Sequence, residues 1–435
     1  MVDPSGLVIA APASGAGKTL VTLGLLRALA RGGRSVASAK AGPDYIDPRF
    51  HEAASGRACF NLDGWAMREG LISDLAGHCA QDAELMLIEG VMGLFDGAAG
   101  GGGSSADLAV TLKLPVVLVV DAKSQGQSAA ALVKGFAEFR NDCRISGVIF
   151  NRVASNAHAA IVSDAVKPLG IPVLGAVPED REIVVPSRHL GLVQASEHAA
   201  LDNFLDRAAD LLEKGVDLDA LVSISRPLEL AGTTTKSLPP LGQRIAIARD
   251  KAFGFIYPHL LAAWRESGAQ IMLFSPLGDE APDSSADAIY LPGGYPELHA
   301  GALASNSVFL RGLKEAAERG SLIYGECGGF MTLGEYLIDA EGTRHQMAGL
   351  LPLGTSFAKR GLKLGYRRLK HTSALPWPTH LRGHEFHYST LHWQSDAEAL
   401  FEAEDSKGKK LGGIGLRRGN VMGSYAHIID MEESP

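Results

Sequence analysis

Residues 7–31, LVIAAPASGAGKTLVTLGLLRALAR, decide the fold of the N-terminal half. The stretch begins with an apolar run, passes through a glycine-rich turn and continues into helical periodicity over Leu20–Ala30. A strand, a turn of small residues and a helix in this order present backbone N–H groups and the positive end of the helix dipole to a phosphate chain. The sequence therefore predicts a P-loop at the start of a doubly wound α/β domain.

The turn ASGAGKT, residues 13–19, supplies the candidate nucleotide ligands. Gly15 and Gly17 let backbone N–H groups approach phosphate oxygens. Lys18 is expected to reach the β- and γ-phosphates, and the Thr19 hydroxyl is expected to ligate Mg²⁺. The strict motif has a glycine where this chain has Pro12, so the turn is a shortened variant of the P-loop.

Apolar runs that alternate with helical patterns predict two parallel sheets, one in each half of the chain. The stretch TTTKSLPP, residues 233–240, has no periodicity and predicts a linker. We therefore expect two doubly wound, mostly parallel α/β domains over residues 1–230 and 243–435, joined by residues 231–242. The predicted strands are Leu7–Ala11, Ser35–Lys40, Leu85–Glu89, Val116–Asp121, Gly147–Asn151, Arg244–Ala248, Ile271–Phe274, Ala288–Leu291 and Leu322–Gly325.

Polar residues follow the second and third predicted strands. The segment KAGPDYIDP begins at Lys40 and carries Asp44, and the third strand ends at Glu89. Open α/β sheets bind ligands at the carboxyl ends of their strands, so Glu89 is placed as a Walker-B acid. Thr19, Asp44 and Glu89 are the predicted Mg²⁺ ligands, and the glycine-rich residues 96–105 are predicted to form a substrate loop too flexible to pack.

The adenine end of the nucleotide has weaker signals. Asn151 closes a predicted strand, and Pro178 and Glu179 form a corner after the next apolar run. We assign Asn151 to the nucleotide site and regard the corner as a second candidate for adenine contacts.

A cysteine in the C-terminal half lies between a predicted strand and a helix in the segment LIYGECGGF, residues 322–330. This is the form of a nucleophile elbow, in which the helix N-terminus is expected to lower the pKa of the Cys327 thiol. The N–H of Gly328 can face a developing oxyanion, and Gly294 in the turn PGGYPE can supply a second donor. The thiol also needs a histidine base, for which His427, His384 and His387 are candidates.

Composition excludes several functional classes. The chain has 435 residues, of which 46% are hydrophobic, and a net charge of -8, which argues against a general nucleic-acid binder. Its four cysteines have neither zinc-site spacing nor disulfide density, and no apolar run is long enough to span a membrane. We expect a cytoplasmic protein that binds neither nucleic acid nor membrane.

Seven motifs in order, APASGAGKT, KAGPDYIDP, EGVMGLFDG, PGGYPE, YGECGGFM, GHEFHYS and GSYAHI, resemble the cobyrinic and hydrogenobyrinic acid a,c-diamide synthase family. The N-terminal half resembles dethiobiotin-synthetase-like ATPases, and the C-terminal half resembles class I glutamine amidotransferases of the cobalamin type. The resemblance covers nearly the whole chain. It implies ATP- and glutamine-dependent amidation of two carboxylates of a corrinoid, through an acyl phosphate, with Mg²⁺ as cofactor; a homodimer is left open.

The resemblance also implies residue roles. Cys327 becomes the nucleophile and His427 its activator, which favours His427 over the other two histidines. The resemblance places five residues in the synthetase site: Lys40, Asp44, Tyr45, Glu89 and Asp96. Class I amidotransferases usually carry a glutamate two residues after this histidine, but the position holds Ile429 here. The sequence identifies no group that orients His427.

Three alternatives remain at this point. A ParA/MinD-like ATP switch shares the first domain, but that group has a lysine at the start of its P-loop, where this chain has Ala13, and no cysteine elbow. A cobyric acid synthase and a nickel-sirohydrochlorin a,c-diamide synthase are the nearest enzymes. Metal-free and cobalt-containing corrinoids are not separated by the sequence. The basic stretch Lys359–Lys370 is interpreted as a solvated strand face rather than a substrate site.

Overall fold

The computed structural model describes residues 4–180, 183, 187–188, 191–192, 194–198, 200–229 and 235–433. Within these residues, no helix is long and apolar enough to cross a membrane. The chain forms two compact units, and the division falls between Thr235 and Lys236. Residues 66–68 group with the C-terminal unit, which the sequence did not indicate. Residues 231–234 of the predicted linker lie outside the described residues.

The N-terminal unit is an α/β sandwich built from one main sheet. Its strands are β1 (Ser5–Ala10), β2 (Val36–Ala41), β3 (Phe60–Leu62), β4 (Leu85–Glu89), β5 (Val116–Asp121), β6 (Ile145–Val153), β7 (Val173–Pro178), β8 (Ser187–Arg188), β9 (Gly191–Leu192) and β10 (Arg226–Pro227). Its helices are α1 (Lys18–Arg31), α2 (Asp47–Ser55), α3 (Glu69–Ala80), α4 (Ser105–Thr111), α5 (Ser128–Phe139), α6 (Asn156–Val166), α7 (Leu201–Gly215) and α8 (Leu218–Ser223).

The order of the main sheet is β3-β2-β4-β1-β5-β6-β7, with parallel pairing throughout this path and β10 antiparallel on β1. The chain leaves β1 toward one side of the sheet and leaves β4 toward the other side, so the strand order reverses at the β1–β4 pair. Ligands of open α/β sheets bind at such a switch point. The P-loop after β1 and the acid at the end of β4 therefore meet there, as predicted.

The C-terminal unit begins as a second parallel sheet. The strands of the whole unit are β11 (Arg244–Ala248), β12 (Gln270–Phe274), β13 (Ala288–Leu291), β14 (Leu322–Glu326), β15 (Tyr336–Ile338), β16 (Arg344–Gln346), β17 (Leu353–Ser356), β18 (Lys363–Lys370), β19 (His380–His387), β20 (Thr390–Gln394), β21 (Phe401–Asp405), β22 (Lys410–Ile414), β23 (Leu416–Arg418), β24 (Val421–Ser424) and β25 (Ala426–Met431). Its helices are α9 (Pro258–Glu266), α10 (Ala300–Ser305), α11 (Ser307–Glu318) and α12 (Gly328–Leu333).

Three sheets shape this unit. The central order β12-β11-β13-β14-β24-β23 is parallel except for the edge strand β23. Two further sheets were absent from the sequence-based prediction: the mixed sheet β16-β15-β17-β20, in which β15 and β17 pair in parallel, and the antiparallel sheet β22-β21-β18-β19-β25. The chain passes from β24 through Tyr425 directly into β25, so the carboxyl end of the parallel sheet adjoins this antiparallel sheet. The doubly wound class is confirmed, with these sheets added.

The glycine-rich stretch 96–105 is packed at its two ends, whereas residues 99–102 between them are exposed. A Cβ on Gly97 would lie 2.4 Å from the carbonyl oxygen of Gly102, and one on Gly103 would lie 2.6 Å from the Trp65 Cβ. Ser104 then caps α4 by accepting a hydrogen bond from the backbone N–H of Asp107. Gly97 and Gly103 are needed for close approach at these ends, which the sequence pattern did not reveal, and the mobility of the exposed middle stays a prediction.

Candidate active sites

The P-loop has the backbone geometry that a phosphate cradle needs. Gly15 and Gly17 adopt φ angles of 82° and 94°, in the left-handed region that favours glycine, and α1 begins at Lys18. The Asn151 side-chain amide donates to the Ala16 carbonyl at 2.9 Å, and a Cβ on Gly17 would lie 2.1 Å from that amide nitrogen. Asn151 therefore supports the loop, and its contact with adenine stays a prediction.

Lys18 points across the loop toward the segment after β4. Its Nζ donates to the backbone oxygen of Met92 at 2.5 Å. Burial lowers the pKa of Lys18, and the neighbouring Lys40 lowers it further. An anionic phosphate beside Lys18 would offset both effects.

Glu89 is the centre of a buried charge cluster. Its Oε1 accepts hydrogen bonds from Thr19 Oγ1 at 2.6 Å and from Lys40 Nζ at 2.9 Å. Its Oε2 lies 2.6 Å from His51 Nε2. Burial alone would raise the pKa of Glu89, but Lys40 and His51 hold it well below its usual range. The carboxylate therefore stays ionised inside the protein.

Two further members of the cluster, Asp47 and His51, lie one turn apart on α2. Asp47 is the second acid of the segment KAGPDYIDP and received no individual role from the sequence, and His51 was not singled out at all. Asp47 forms an ion pair with Lys40 at 2.6 Å. Burial and the nearby Asp44 raise the pKa of Asp47 to about 6. Burial lowers the pKa of His51, but Cys59 and Glu89 outweigh burial and raise it to about 10.

Asp44, Tyr45 and Asp96 border this cluster. One oxygen of Asp44 accepts hydrogen bonds from the backbone N–H groups of Ile46 and Asp47. Asp96 accepts one from the N–H of Gly93 at 3.0 Å, and Tyr45 is half-buried beside Asp44. Asp44 and Asp96 therefore hold turns of the site in shape, and their contact with substrate stays a prediction.

The oxygens of Thr19 and Glu89 fit a divalent cation better than Asp44 does. They lie 2.6 Å apart at the end of β4, which is the arrangement of a P-loop hydroxyl and a Walker-B acid. One Asp44 oxygen is already occupied by two backbone donors. Among the described residues, no group of three or more His, Cys, Asp or Glu side chains forms a ready metal cage. A cation here would need phosphate oxygens and water as additional ligands.

The second candidate for adenine contacts, Pro178 and Glu179, lies at the end of β7. Glu179 forms an exposed ion pair with Lys123 at 3.1 Å. This geometry neither requires nor blocks a nucleotide, and the assignment stays a prediction.

Cys327 occupies a strained elbow between β14 and α12. Its φ and ψ angles are 47° and -101°, unusual for a residue with a side chain. Its N–H donates to the Ser424 carbonyl at 2.8 Å. A Cβ on Gly329 would lie 1.9 Å from the Leu291 oxygen, so only glycine allows this close approach. The strain is maintained by packing on both neighbouring strands.

The two predicted oxyanion donors lie together. A Cβ on Gly328 would lie 3.0 Å from the amide nitrogen of Gly294, and the backbone N–H of Gly328 acts to lower the pKa of the Cys327 thiol. The expectation that the helix lowers the pKa of the thiol is wrong. Burial, with Glu297 nearby, raises the pKa of Cys327, since α12 has only six residues and the side chain is 1% exposed. The thiol is neutral until a base takes its proton.

His427 is the candidate base that adjoins Cys327. A Cβ built on Gly293 would lie 2.3 Å from His427 Cε1, 3.0 Å from His427 Nε2 and 3.3 Å from Cys327 Cβ. Gly293 therefore lies against both the His427 ring and Cys327, and a residue with a side chain at position 293 would collide with the ring. This residue was quoted in a motif but not assigned from the sequence.

The two competing histidines lie close to His427 and differ in their partners. His387 lies 2.8 Å from Glu385 and stacks on Tyr425 with ring centroids 3.7 Å apart. His384 is the cross-strand partner of His427, and burial together with His427 and Arg367 lowers the pKa of His384 to about 3. Both shape the pocket around His427 rather than replace it.

Glu326, directly before the nucleophile, was missed by the sequence reasoning. It is 1% exposed, and its Oε2 lies 3.5 Å from His427 Nδ1. A glutamate beside a cysteine elbow, two residues after a tyrosine on the same strand, was the available signal.

A P-loop domain followed by a cysteine-dependent amidotransferase domain is the architecture of glutamine-dependent amidating ligases. Residues 7–193 match the CobQ/CobB/MinD/ParA nucleotide binding domain. Residues 244–434 match the CobB/CobQ-like glutamine amidotransferase domain. The chain is therefore a ligase of this class.

Curated relatives identify the family. The chain is 58% identical to hydrogenobyrinate a,c-diamide synthase of Brucella suis biovar 1 (strain 1330) over 428 residues, which is 98% of each chain. It is 52% identical to the enzyme of that name from Rhizobium meliloti (strain 1021), over 99% of this chain and 100% of the relative. It is 50% identical to that of Mesorhizobium japonicum over 97% and 98%. The chain belongs to the hydrogenobyrinate a,c-diamide synthase family.

Proposed function

We propose that this chain amidates the a and c side-chain carboxylates of hydrogenobyrinic acid in cobalamin biosynthesis, with ATP and L-glutamine as co-substrates. The observation that carries the proposal is that relatives of this name align over both domains and over nearly the whole chain. Cobyrinic acid, which contains cobalt, is the alternative corrinoid.

The N-terminal unit is assigned the activation of the carboxylate. A carboxylate resists attack by ammonia because its leaving group would be oxide. Transfer of the γ-phosphoryl group of ATP to a carboxylate oxygen gives an acyl phosphate and ADP, and ammonia then displaces phosphate to give the amide. Lys18 and the P-loop N–H groups would hold the phosphates during the transfer. Lys40, Asp44, Tyr45 and Asp96 are proposed to line the carboxylate side of this site.

Thr19 and Glu89 are the residues that would hold Mg²⁺, whose charge would offset that of the transferring phosphoryl group. Lys40 and His51 keep Glu89 ionised and fixed in position. This support lets Glu89 act as a metal ligand or orient a water ligand without first losing a proton.

The C-terminal unit is assigned the release of ammonia from glutamine. His427 takes the thiol proton, and Cys327 sulfur attacks the side-chain amide carbon. The N–H groups of Gly328 and Gly294 would stabilise the oxyanion. Ammonia leaves with the proton from His427, and water attacks the thioester to give glutamate and regenerate the thiol.

A mass measurement tests the substrate. Purified enzyme is incubated with ATP, Mg²⁺ and glutamine together with hydrogenobyrinic acid, cobyrinic acid or nickel-sirohydrochlorin, and the products are followed by mass spectrometry. We expect two successive amidations of hydrogenobyrinic acid. Four amidations would indicate a cobyric acid synthase, and turnover of nickel-sirohydrochlorin alone would contradict the corrinoid assignment.

We further propose that the enzyme is cytoplasmic, where ATP and glutamine are available and a reducing environment suits its four buried free cysteines. A homodimer stays a prediction, which light scattering of the purified chain would test.

A further inference from the structure

Position 429, where class I amidotransferases usually carry a glutamate, offers no polar side chain to His427 in this chain. Ile429 has a buried apolar side chain that is 1% exposed. Its backbone oxygen accepts a hydrogen bond from the buried His259 at 2.9 Å. Position 429 therefore supplies no side chain that could orient His427.

We propose that Glu326 is the positioning residue for His427 in glutamine hydrolysis. The inference rests on the proposed roles of Cys327 and His427. Glu326 Oε2 lies 3.5 Å from His427 Nδ1, and both side chains are 1% exposed. The contact is an ion pair and not yet a hydrogen bond, but a carboxylate at this distance from Nδ1 favours the tautomer with its proton on that nitrogen, which leaves Nε2 to take the proton of the thiol. The Nε2 edge of the ring is the one that adjoins Gly293 and Cys327.

Three donors fix the carboxylate. The Tyr290 hydroxyl donates to Oε2 at 2.6 Å, and the Tyr324 hydroxyl donates to Oε1 at 3.1 Å. The backbone N–H of Ile428, the residue after His427, donates to Oε1 at 3.0 Å. Burial and the adjacent Glu326 raise the pKa of both tyrosines well above the usual value, so their hydroxyls remain donors.

Strand register explains why these donors converge. Tyr324 and Glu326 are two residues apart on β14 and so share one face of the sheet. Tyr290 on β13 is the register partner of Tyr324, and their rings are stacked with centroids 5.9 Å apart. Glu326 is therefore held from β13, β14 and β25 at once. A buried carboxylate that is fixed in this way can orient a neighbouring ring.

Glu385, another acid near His427, is already paired with other side chains. Glu385 binds Arg367 at 2.7 Å and lies 2.8 Å from His387 Nε2. Glu326 instead faces His427 from the side opposite to the nucleophile. When the thiol proton moves to Nε2, the imidazolium that forms is stabilised by the Glu326 carboxylate, and the thiolate is formed at the moment of attack.

A double-mutant cycle in the full-length enzyme tests this role. Glu326→Gln, His427→Ala and the double variant are compared with wild type for the kcat and KM of glutamine hydrolysis, each scaled to the ammonia-dependent rate of the same preparation. We expect Glu326→Gln to lower kcat by about 10²-fold with little change in KM, because Glu326 acts through His427 and does not touch glutamine. In the His427→Ala background the same change should have no further effect.

Asp430→Asn is the matched control. Asp430 is also fully buried and lies three residues beyond His427 on β25, but it binds Arg68. Its loss should lower stability without changing kcat for glutamine. If Glu326→Gln does not fold, Tyr290→Phe replaces it, with an expected kcat loss of about 10-fold that also vanishes in the His427→Ala background.

Two outcomes would overturn the role of Glu326. One is normal kcat in Glu326→Gln or, where Tyr290→Phe replaces it, normal kcat in that variant. The other is an equal loss from the same change in the presence and absence of His427, which would mean that the residue acts on the fold. Normal glutamine use by His427→Ala would instead contradict the proposed base, so the two failures are distinguishable.

Discussion

The phosphate site and the thiol site share a strand-turn-helix geometry but treat charge in opposite ways. Gly17, with φ of 94°, leads into α1, and Cys327, with φ of 47°, leads into α12. Around Glu89, ionised side chains are buried together and already paired. Around Cys327, burial keeps the nucleophile neutral.

This difference follows from what each site binds. A nucleotide arrives with its charge, so the phosphate site must hold compensating groups in place beforehand. Glutamine is neutral at its side-chain amide, and a permanently ionised thiol in a buried pocket would be costly. In the thiol site, the thiolate and the imidazolium therefore form only during the reaction step. Glu326, held by its two tyrosine donors, lies beside His427 to stabilise the imidazolium.

The largest expected effect comes from Lys18→Ala. Both nitrogen sources need the acyl phosphate, so amide formation from glutamine and from ammonia should fall by about 10³-fold or more. Glutamine hydrolysis should continue, because it uses the other unit. Initial rates with each nitrogen source, measured beside glutamate release, check this. Unimpaired synthesis from ammonia would remove Lys18 from the phosphate site.

Glu89→Gln should have the second largest effect on amide synthesis, and Asp44→Asn is the variant to compare with it. The first change leaves Lys40 and His51 without their shared carboxylate and should lower synthesis by about 10²–10³-fold. It should also lower the free energy of unfolding by about 3–5 kcal/mol. Asp44→Asn, which keeps an oxygen for the Ile46 and Asp47 amides, should cost less on both measures. Denaturant unfolding and ammonia-dependent rates test the ranking, and a more damaging Asp44→Asn would place Asp44 at the centre of the site.

Gly293→Ala should have a smaller effect that is confined to glutamine. The new Cβ would lie 2.3 Å from His427 Cε1, so the ring must shift, and a displacement of this kind costs about 10²-fold in kcat. Gly301→Ala is the control, because its Cβ would come no closer than 3.6 Å to another residue. Steady-state glutamine hydrolysis separates them. Equal kcat values in the two variants would mean that the close contact does not control the ring.

Much of the parallel framework was predictable because its strands are continuous apolar runs that end in polar residues. The apolar run Val116–Asp121 was predicted with the bounds that the structure has. The P-loop and the cysteine elbow were also visible, since each is encoded by adjacent residues. The antiparallel strands escaped because β18 and β20 are mostly half-buried or exposed and carry no apolar run.

The supporting residues of both sites depend on pairing that a single sequence does not display. His51 reaches Glu89 because α2 packs against β2, the neighbour of β4 in the sheet, and Glu326 reaches His427 because β24 turns directly into β25. The pKa of Cys327 was misjudged for a related reason. The pattern showed a helix after the cysteine, but not that the helix is short and the thiol buried.

The most direct test of two separate sites is the Cys327→Ser variant, assayed for amide formation with glutamine and with saturating ammonium chloride at mildly alkaline pH. Thioester formation needs the thiol, whereas carboxylate activation does not. Glutamine-dependent synthesis should therefore fall by orders of magnitude while ammonia-dependent synthesis persists. Normal use of glutamine by this variant would exclude the thioester, and a folded variant that is inactive with ammonia would place Cys327 in the synthetase step and contradict the account.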